Sequence, residues 1–431
     1  MTMLAFIDAY DAWVMLAGVL CNVACALVGC YLVLRRMALL GDAISHAILP
    51  GLALAFIITG SRDALPMLVG ALVVGVATTF LTQVLHQWGK VPEDSSMGVV
   101  FTSLFAVGVL LITYVASQVD LDPGCVLYGS IESTPDTPLV IGGWQAAVPR
   151  QVAVLGAVLL FNLLGILVFY KELEIVSFDP FLATTMGVSA AVVHYGLMTA
   201  VAVTSVAAFE SVGSILVVAM LIAPAATAQL LTDRLSRMLL IAALVAAVSA
   251  VAGYLVAAYW INAPAAPMMA VAAGVQFTVA VLAAPRYGVI SKKLHQFSLA
   301  ARIVREDILG MLYRWPEARR EALRRGQVVA AVGGGLLPRL ALRSLARCGD
   351  VALAASGDVT LTPTGRADAA KLVRAHRLWE SYLHKHFGLP LDHLHEPAMR
   401  MEHYVGDQLQ STIQTEVAGT ADPHGREIPP A

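Results

Sequence analysis

A carboxylate and an imidazole stand four residues apart in an apolar segment near the start of the chain. The segment LLGDAISHAIL carries Asp42 and His46, and its other residues are small or apolar. On a helix this spacing puts both side chains on one face, one turn apart. Oxygen and nitrogen ligands together suit divalent manganese, iron or zinc, and a carboxylate inside a membrane is costly unless it serves a function. The pair therefore predicts a metal-contacting site within a membrane.

The same two residues also have a structural interpretation. Asp42 could cap the start of a helix, and His46 could bond a neighbouring carbonyl group. The sequence favours metal contact, because both residues share one face of one apolar segment.

A second group of metal-ligand types lies near the other end of the chain, where seven of the eleven histidines fall between positions 376 and 424. Their spacings of one, three and four place them on helix faces, where histidine and glutamate pairs can bind divalent metal. The candidates are His376, Glu380, His395, Met399, Glu402 and His403. The alternative is that these histidines are ordinary surface residues of a relic fold, one that no longer binds metal.

The composition predicts a membrane protein with a soluble C-terminal part. Hydrophobic residues make up 58% of the 431 positions, charged residues make up 13%, and the mean hydropathy is +0.74. Soluble domains carry about 25% charge. The apolar excess ends near Pro285, and residues 286–377 hold 17 Lys and Arg against 7 Asp and Glu.

Apolar stretches long enough to span a bilayer, which takes about 20 residues, predict eight or nine transmembrane helices. The second is short, and the sixth and seventh meet at Glu210 with almost no loop, so one of these two could be broken or re-entrant. The stretches are 13–34, 42–59, 65–87, 97–117, 151–170, 191–209, 211–231, 238–259 and 265–284.

The basic residues of the short loops predict the orientation. With the N-terminus outside, six basic residues fall inside and two outside, which puts the C-terminal part in the cytoplasm. The inside set is Arg35, Arg36, Lys90, Lys171, Arg234 and Arg237, and the outside set is Arg62 and Arg150.

The cytoplasmic half is predicted to be a winged helix followed by a small helical domain. Three helical segments, the second beginning at Pro316-Glu317, precede a hairpin at VALAASGDVTLT. The predicted organisation is an all-α membrane domain at 1–290, a winged helix at 299–372, a small helical metal-binding domain at 373–410, and a disordered tail at 411–431.

The membrane half resembles the permeases of metal-ion ABC transporters of the zinc, manganese and iron import type. The resemblance rests on LRRMALLGDAISHAILPGLALAF, GKVPEDSSMGVVF and SFDPFLATTMGV with the helix that follows it. It implies that Asp42 and His46 line the metal pathway of a bacterial inner-membrane protein. It also implies that an ATPase subunit docks near Ser177, Phe178, Asp179 and Pro180. An extracytoplasmic metal-binding protein and a second permease chain complete the implied assembly.

The chain contains no GxxxxGK[ST] pattern, the loop that cradles nucleotide phosphates. We therefore expect a transport subunit rather than an enzyme, with ATP hydrolysis in the separate subunit.

Residues 299–410 resemble the iron- and manganese-dependent repressors of the diphtheria-toxin-repressor type, which implies that 373–410 is a metal-binding and dimerisation domain. By position, His376, Glu380 and His395 match that family's ancillary metal site, and Met399, Glu402 and His403 match its primary site. The match departs from the family at Met399, where a cysteine or carboxylate is usual, and the N-terminal ligand of the primary site has no evident counterpart.

The sequence thus predicts an ABC importer permease for divalent metal, with manganese favoured over iron or zinc. Metal is expected as substrate and as effector, with no tightly bound cofactor, and the cytoplasmic domain is expected to inhibit transport when it binds metal. DNA binding is not expected, although a membrane-anchored metal-dependent transcription regulator is the alternative. A cobalamin or siderophore permease would not need Asp42 and His46.

Overall fold

The computed structural model describes residues 8–37, 39–60, 64–116, 129, 131–141, 144–318 and 322–430. The chain divides into two compact units, Met1–Ser291 and Lys292–Ala431. The predicted domain boundary lies between 290 and 299, close to this division.

The first unit is a bundle of long apolar helices with one small two-stranded sheet. The elements are α1 (Ala9–Leu34), α2 (Leu39–Ala47), α3 (Leu49–Thr59), α4 (Ala64–Gln87), α5 (Glu93–Ala116), β1 (Pro138–Ile141), β2 (Trp144–Pro149), α6 (Arg150–Val168), α7 (Tyr170–Phe178), α8 (Pro180–Thr185), α9 (Ala190–Val212), α10 (Ser214–Leu231), α11 (Leu235–Val256) and α12 (Ala265–Ala283). β1 and β2 pair antiparallel.

Seven helices of the described chain are long and apolar enough to cross a membrane, and two shorter apolar helices, Leu49–Thr59 and Leu216–Leu231, accompany them. The helical membrane fold is therefore as predicted. The predicted second span is instead two helices, α2 and α3, that meet at Ile48. Pro50 explains the break, because proline cannot donate the hydrogen bond of a continuous helix.

The junction of the predicted sixth and seventh spans is a single glycine. Gly213, with φ of +80°, separates α9 from α10. A left-handed backbone angle of this kind suits glycine because it has no Cβ. α9 runs unbroken up to this glycine and α10 runs unbroken after it. The predicted break therefore lies between the two helices and not within one of them.

Glycines let α2 and α1 pack closely on α10. A Cβ at Gly41 would lie 2.7 Å from the Leu221 side chain, and a Cβ at Gly29 would collide with the Leu221 carbonyl oxygen. Small residues allow this close approach of helices in a membrane. The helix that carries Asp42 and His46 is therefore held against the centre of the bundle.

In the second unit, helices surround a short three-stranded antiparallel sheet, and a helical segment follows. The elements, beginning with a helix that crosses the division, are α13 (Val289–Ala318), β3 (Leu323–Arg324), α14 (Arg325–Ala331), α15 (Leu336–Cys348), β4 (Val351–Leu353), β5 (Asp358–Leu361), α16 (Pro363–Phe387), α17 (His395–Met401) and α18 (Asp407–Val417). The sheet order is β3-β5-β4.

The structure confirms the predicted hairpin and corrects the predicted helix start. β4 and β5 pair antiparallel around Gly357. The predicted second helix does not begin at Pro316, because α13 continues through it to Ala318. A proline in the last turn removes only one hydrogen bond near the helix end, so the helix can absorb it.

The predicted disorder from residue 411 is wrong. α18 runs through Val417, and the chain then folds back so that Ala421 bridges to Glu427. Arg377, of which 3% is exposed, donates to the Glu427 carbonyl oxygen and forms an ion pair with Asp422 at 3.7 Å. Ile428 is buried in a small apolar core with Leu378 and Ile413. These contacts give a polar, proline-containing segment the partners that its composition does not reveal.

Candidate metal sites

The backbone of α2 carries both residues of the predicted pathway pair. Asp42 and His46 lie one turn apart in Leu39–Ala47, as their spacing predicts. The His46 ring is half-buried, with its centroid 6.3 Å from that of Phe101 and 6.1 Å from that of Phe105 on α5. The Asp42 side chain lies outside the described part of the structure, so metal contact by the pair stays a prediction.

Three potential ligand atoms meet between α16 and α17. His376 Nε2 lies 3.0 Å from Glu380 Oε1 and 3.1 Å from His395 Nδ1, and that nitrogen lies 3.2 Å from the same carboxylate oxygen. Three ligands that share one ion with bonds of about 2.1 Å are separated by roughly this much. The sequence prediction of His376, Glu380 and His395 as one set therefore agrees with their placement.

Burial and charge shape this first cluster. His376 and Glu380 are almost fully buried, whereas His395 is exposed, so the cluster opens toward solvent on one side. Burial opposes the charged form of His376, but Glu380 and Glu402 outweigh it and raise its pKa. Burial likewise opposes ionisation of Glu380, but His376 and His395 outweigh it and lower the pKa of that carboxyl.

A second cluster brings Asp307 of α13 to Glu402 and His403, which follow α17. His403 Nε2 lies 3.3 Å from Asp307 Oδ1, and its Nδ1 lies 2.8 Å from Glu306 Oε2. Burial disfavours the imidazolium, but Asp307 and Glu306 outweigh it and raise the pKa of His403 to about 9. The carboxylates are therefore arranged to hold a positive charge at this position.

Met399 does not join the second cluster in the described residues. Its side chain is 43% exposed, and the cluster's third potential ligand is Asp307. A thioether is a poor partner for a hard cation, whereas a carboxylate is a good one. The sequence alone offered no N-terminal ligand for this site. Glu306 and Asp307 are the acidic residues of the segment 299–316, and their isolation there is the signal that could have identified them.

One imidazole connects the two clusters. His376 Nδ1 lies 2.6 Å from Glu402 Oε2, and Glu402 Oε1 lies 3.3 Å from Arg314 Nη2. The Glu402 side chain is fully buried. A metal-ligating histidine is commonly oriented through its other ring nitrogen by a carboxylate. Here that carboxylate is itself a candidate ligand of the other cluster.

Comparison with known proteins establishes the membrane unit's family. Residues 8–284 match the family described as ABC 3 transport family. The chain belongs to this family. Residues 362–430 match the family described as iron dependent repressor, metal binding and dimerisation domain. The predicted resemblance of the membrane half is thus confirmed, and that of the C-terminal half is confirmed over 362–430. This match includes the segment predicted to be disordered, whereas the predicted winged helix stays a prediction.

Individual relatives agree with the family. This ABC 3 family chain is 45% identical to the manganese transport system membrane protein MntD of Bacillus subtilis over 68% of its own length and 98% of that protein's. It is 40% identical to the zinc transport system membrane protein TroD of Treponema pallidum, over 65% of this chain and 76% of that protein. It is 31% identical to the solved structure of PsaBC from Streptococcus pneumoniae in complex with Fab, over 66% of this chain and 96% of that one, with a TM-score of 0.55.

The predicted coupling segment of this ABC 3 family permease forms two short helices. Ser177 and Phe178 end α7, and Asp179 caps α8 by accepting from the backbone N–H groups of Phe181 and Leu182 at 3.0 and 2.9 Å. Pro180 occupies the first position of α8, where its missing N–H costs nothing. The cap fixes a sharp turn between the helices.

Large apolar side chains cover the outer surface of this turn. Phe178, Phe181, Leu182 and Met186 are each at least half exposed, with Phe181 at 86%. Exposed apolar patches of this kind mark interaction sites. The segment therefore presents a surface suited to a protein partner.

Proposed function

We propose that this permease carries divalent manganese, with iron or zinc as lesser substrates, and that its second unit binds cytosolic metal and inhibits transport. The observation that carries the proposal is the fusion of a transport unit to a unit with two metal-capable clusters. The relatives named for manganese and zinc transport support the choice of substrate class. The oxygen- and nitrogen-rich clusters, which use no thiolate, favour manganese.

The transport half of the proposal places Asp42 and His46 in the metal pathway. α2 is packed inside the bundle, and its helical backbone puts the two positions on one face. A separate ATPase subunit docks on Phe178, Phe181 and Leu182, a second permease chain completes the pathway, and an extracytoplasmic binding protein delivers the metal. The basic residues of the predicted inside loops support a cytoplasmic location of the second unit in a bacterial cell.

The regulatory half of the proposal needs a second metal site and two states of the protein. The His376 and Asp307 clusters supply the candidate second site. The histidines of these clusters can exchange a proton for a metal ion, so that occupancy follows the metal concentration of the cytosol. Inhibition by that occupancy would match import to supply.

Removal of the second unit tests both halves. Uptake of labelled manganese, iron and zinc is measured in right-side-out vesicles that contain the whole complex and internal ATP, with and without residues 299–431. We expect manganese uptake by both proteins, with feedback inhibition by metal on the cytoplasmic side only in the full chain. No uptake of any of the three metals would contradict the transport half, and equal feedback in both proteins would contradict the regulatory half.

A second candidate function is that of a membrane-anchored transcription regulator. The observation in its favour is α15, whose exposed face carries Arg339, Arg343 and Arg347 at steps of four while Leu342 and Leu345 are buried. Such a basic face suits a nucleic-acid backbone. A metal-dependent footprint on DNA upstream of the transporter genes would favour this function, and co-purification of an ATPase subunit would favour the first.

A further inference from the structure

A cavity of about 620 Å³ lies in the membrane unit beside the coupling segment. It is bounded by the end of α1, the end of α4, the turn between α7 and α8, and the start of α9. Arg35, Arg36, His86 and His194 line it, and none of its described lining residues is a carboxylate. The charged side chains of the described wall are therefore all basic.

The hydrogen-bond partners of the two histidines show which ring nitrogen accepts and which donates. Arg35 Nη2 lies 2.9 Å from His194 Nδ1, and because a guanidinium can only donate, His194 Nδ1 accepts. The Nε2 of that neutral ring then carries the proton and is a donor. His86 Nδ1 lies 2.8 Å from the Val91 carbonyl oxygen, which can only accept, so His86 is anchored to the turn after α4.

Arg36 adds a charge on an unusual backbone. It follows α1 with φ of +60°, a left-handed conformation that is uncommon for residues other than glycine. Its side chain is exposed at the cavity wall. This conformation ends α1, where the Met37 N–H donates to the Leu32 carbonyl oxygen at 2.9 Å, and it leaves the Arg36 guanidinium at the cavity wall.

Further donors complete the wall. Gln83, Gln87, Ser177 and Tyr195 line the same cavity with amide and hydroxyl groups. Guanidinium groups with amide and hydroxyl donors are the groups that proteins use to bind phosphate oxygens. Basic pockets between membrane helices on the cytoplasmic side are also where anionic lipid headgroups bind.

We propose that this cavity binds a phosphate-bearing anion at the end of the bundle that carries the coupling segment. The ligand chemistry is a phosphate group whose oxygens accept from Arg36, from His194 Nε2 and from the neighbouring amides. An anionic phospholipid headgroup and free phosphate are the two sources of this group. The bound anion would neutralise the charge of Arg36 next to the Ser177–Pro180 turn.

The test uses the full-length permease purified in a neutral detergent. Phosphatidylglycerol, phosphatidylcholine and inorganic phosphate are titrated separately, and binding is followed by native mass spectrometry and by the shift in thermal unfolding. We expect phosphatidylglycerol or phosphate to bind and phosphatidylcholine not to bind. Binding by phosphatidylglycerol alone assigns a lipid headgroup, and equal binding by inorganic phosphate assigns a soluble anion.

Matched variants show whether the cavity is responsible. Arg36→Gln should weaken anion binding about tenfold, which is typical of losing one charge-assisted contact, and Arg36→Lys should keep most of it. Lys171→Gln is the control, because Lys171 is an exposed cation on α7 outside the cavity. The proposal is overturned if neither anion binds, or if Arg36→Gln and Lys171→Gln weaken binding equally.

Discussion

His376 and Glu402 are 2.6 Å apart, between His376 Nδ1 and Glu402 Oε2, and this contact joins two clusters of potential metal ligands. His376 Nε2 belongs to the cluster with Glu380 and His395, whereas Glu402 belongs to the cluster with Asp307 and His403. A metal ion bound at His376 Nε2 would fix the orientation of this imidazole ring, whose Nδ1 contacts Glu402. The two clusters should therefore influence each other's occupancy.

The first prediction concerns this influence. Glu380→Gln removes a ligand from one cluster without touching the other, and we expect it to weaken manganese binding at the Asp307 cluster by about tenfold, the usual effect of losing outer support. Calorimetric titration of the full-length protein resolves the two binding steps. His393→Ala, an exposed histidine outside both clusters, is the control. An unchanged second step in Glu380→Gln would show that the clusters are independent.

The second prediction concerns pH. Metal must displace the proton of His403, whose pKa is about 9 because Asp307 and Glu306 outweigh the effect of its burial. Below that value we expect affinity at the Asp307 cluster to fall by about tenfold per pH unit for the one proton displaced. Manganese titrations at pH 6.5, 7.5 and 8.5 measure the slope. A pH-independent affinity over this range would rule His403 out as a ligand.

The same raised pKa has an opposite effect on the metal-free protein. The charged form of His403 gives stability that is fully present below the unfolded value of about 6.5 and is lost as the pH rises through about 9. Unfolding measured without metal should therefore show the second unit becoming less stable between pH 7 and pH 10. His403→Gln should flatten this dependence.

The third prediction concerns the folded C-terminal segment. Arg377→Ala leaves Asp422, whose side chain is 2% exposed, without its cation, and we expect a loss of about 3 kcal/mol in local stability. Hydrogen exchange on the full-length protein should show faster exchange at residues 420–428. Arg400→Ala removes a partner of Glu396 from a fully surface pair and should change exchange very little. Equal effects of both variants would contradict a structural role for Arg377.

The fourth prediction concerns the pathway. We expect Asp42→Ala and His46→Ala to abolish uptake at limiting manganese while the protein still inserts and assembles with its ATPase. Thr59→Ala, which removes an intrahelical hydrogen bond to the Ala55 carbonyl oxygen at the end of α3, is the control for a substitution in this region. Wild-type uptake rates in both α2 variants would place the pathway elsewhere.

Local chemistry explains what the sequence could predict. Apolar stretches of the right length predict membrane helices, and the spacing of His376, Glu380 and His395 matches their meeting between α16 and α17 because two are one turn apart on the same helix. The break in the second span at Pro50 could have been predicted from the sequence, because proline interrupts helical hydrogen bonds. The positions of the two resulting helices depend on the neighbouring helices, which the sequence does not reveal.

Long-range partners explain what the sequence could not predict. Asp307 lies 95 positions before Glu402, so no spacing rule joins them, and the N-terminal ligand of that site has no counterpart that spacing alone indicates. The segment after 411 is polar, but Arg377 and a small apolar core give it an ordered path. Such contacts depend on tertiary structure, which overrides local composition.

The rate of labelled manganese uptake into vesicles with metal already on the cytoplasmic side tests the central claim most directly. The comparison is between the full chain and Glu380→Gln, a variant that keeps the whole second unit and the pathway pair. We predict that internal manganese slows uptake by the full chain and leaves uptake by Glu380→Gln fast. Equal slowing of both proteins, or no slowing of either, would contradict metal sensing by the second unit.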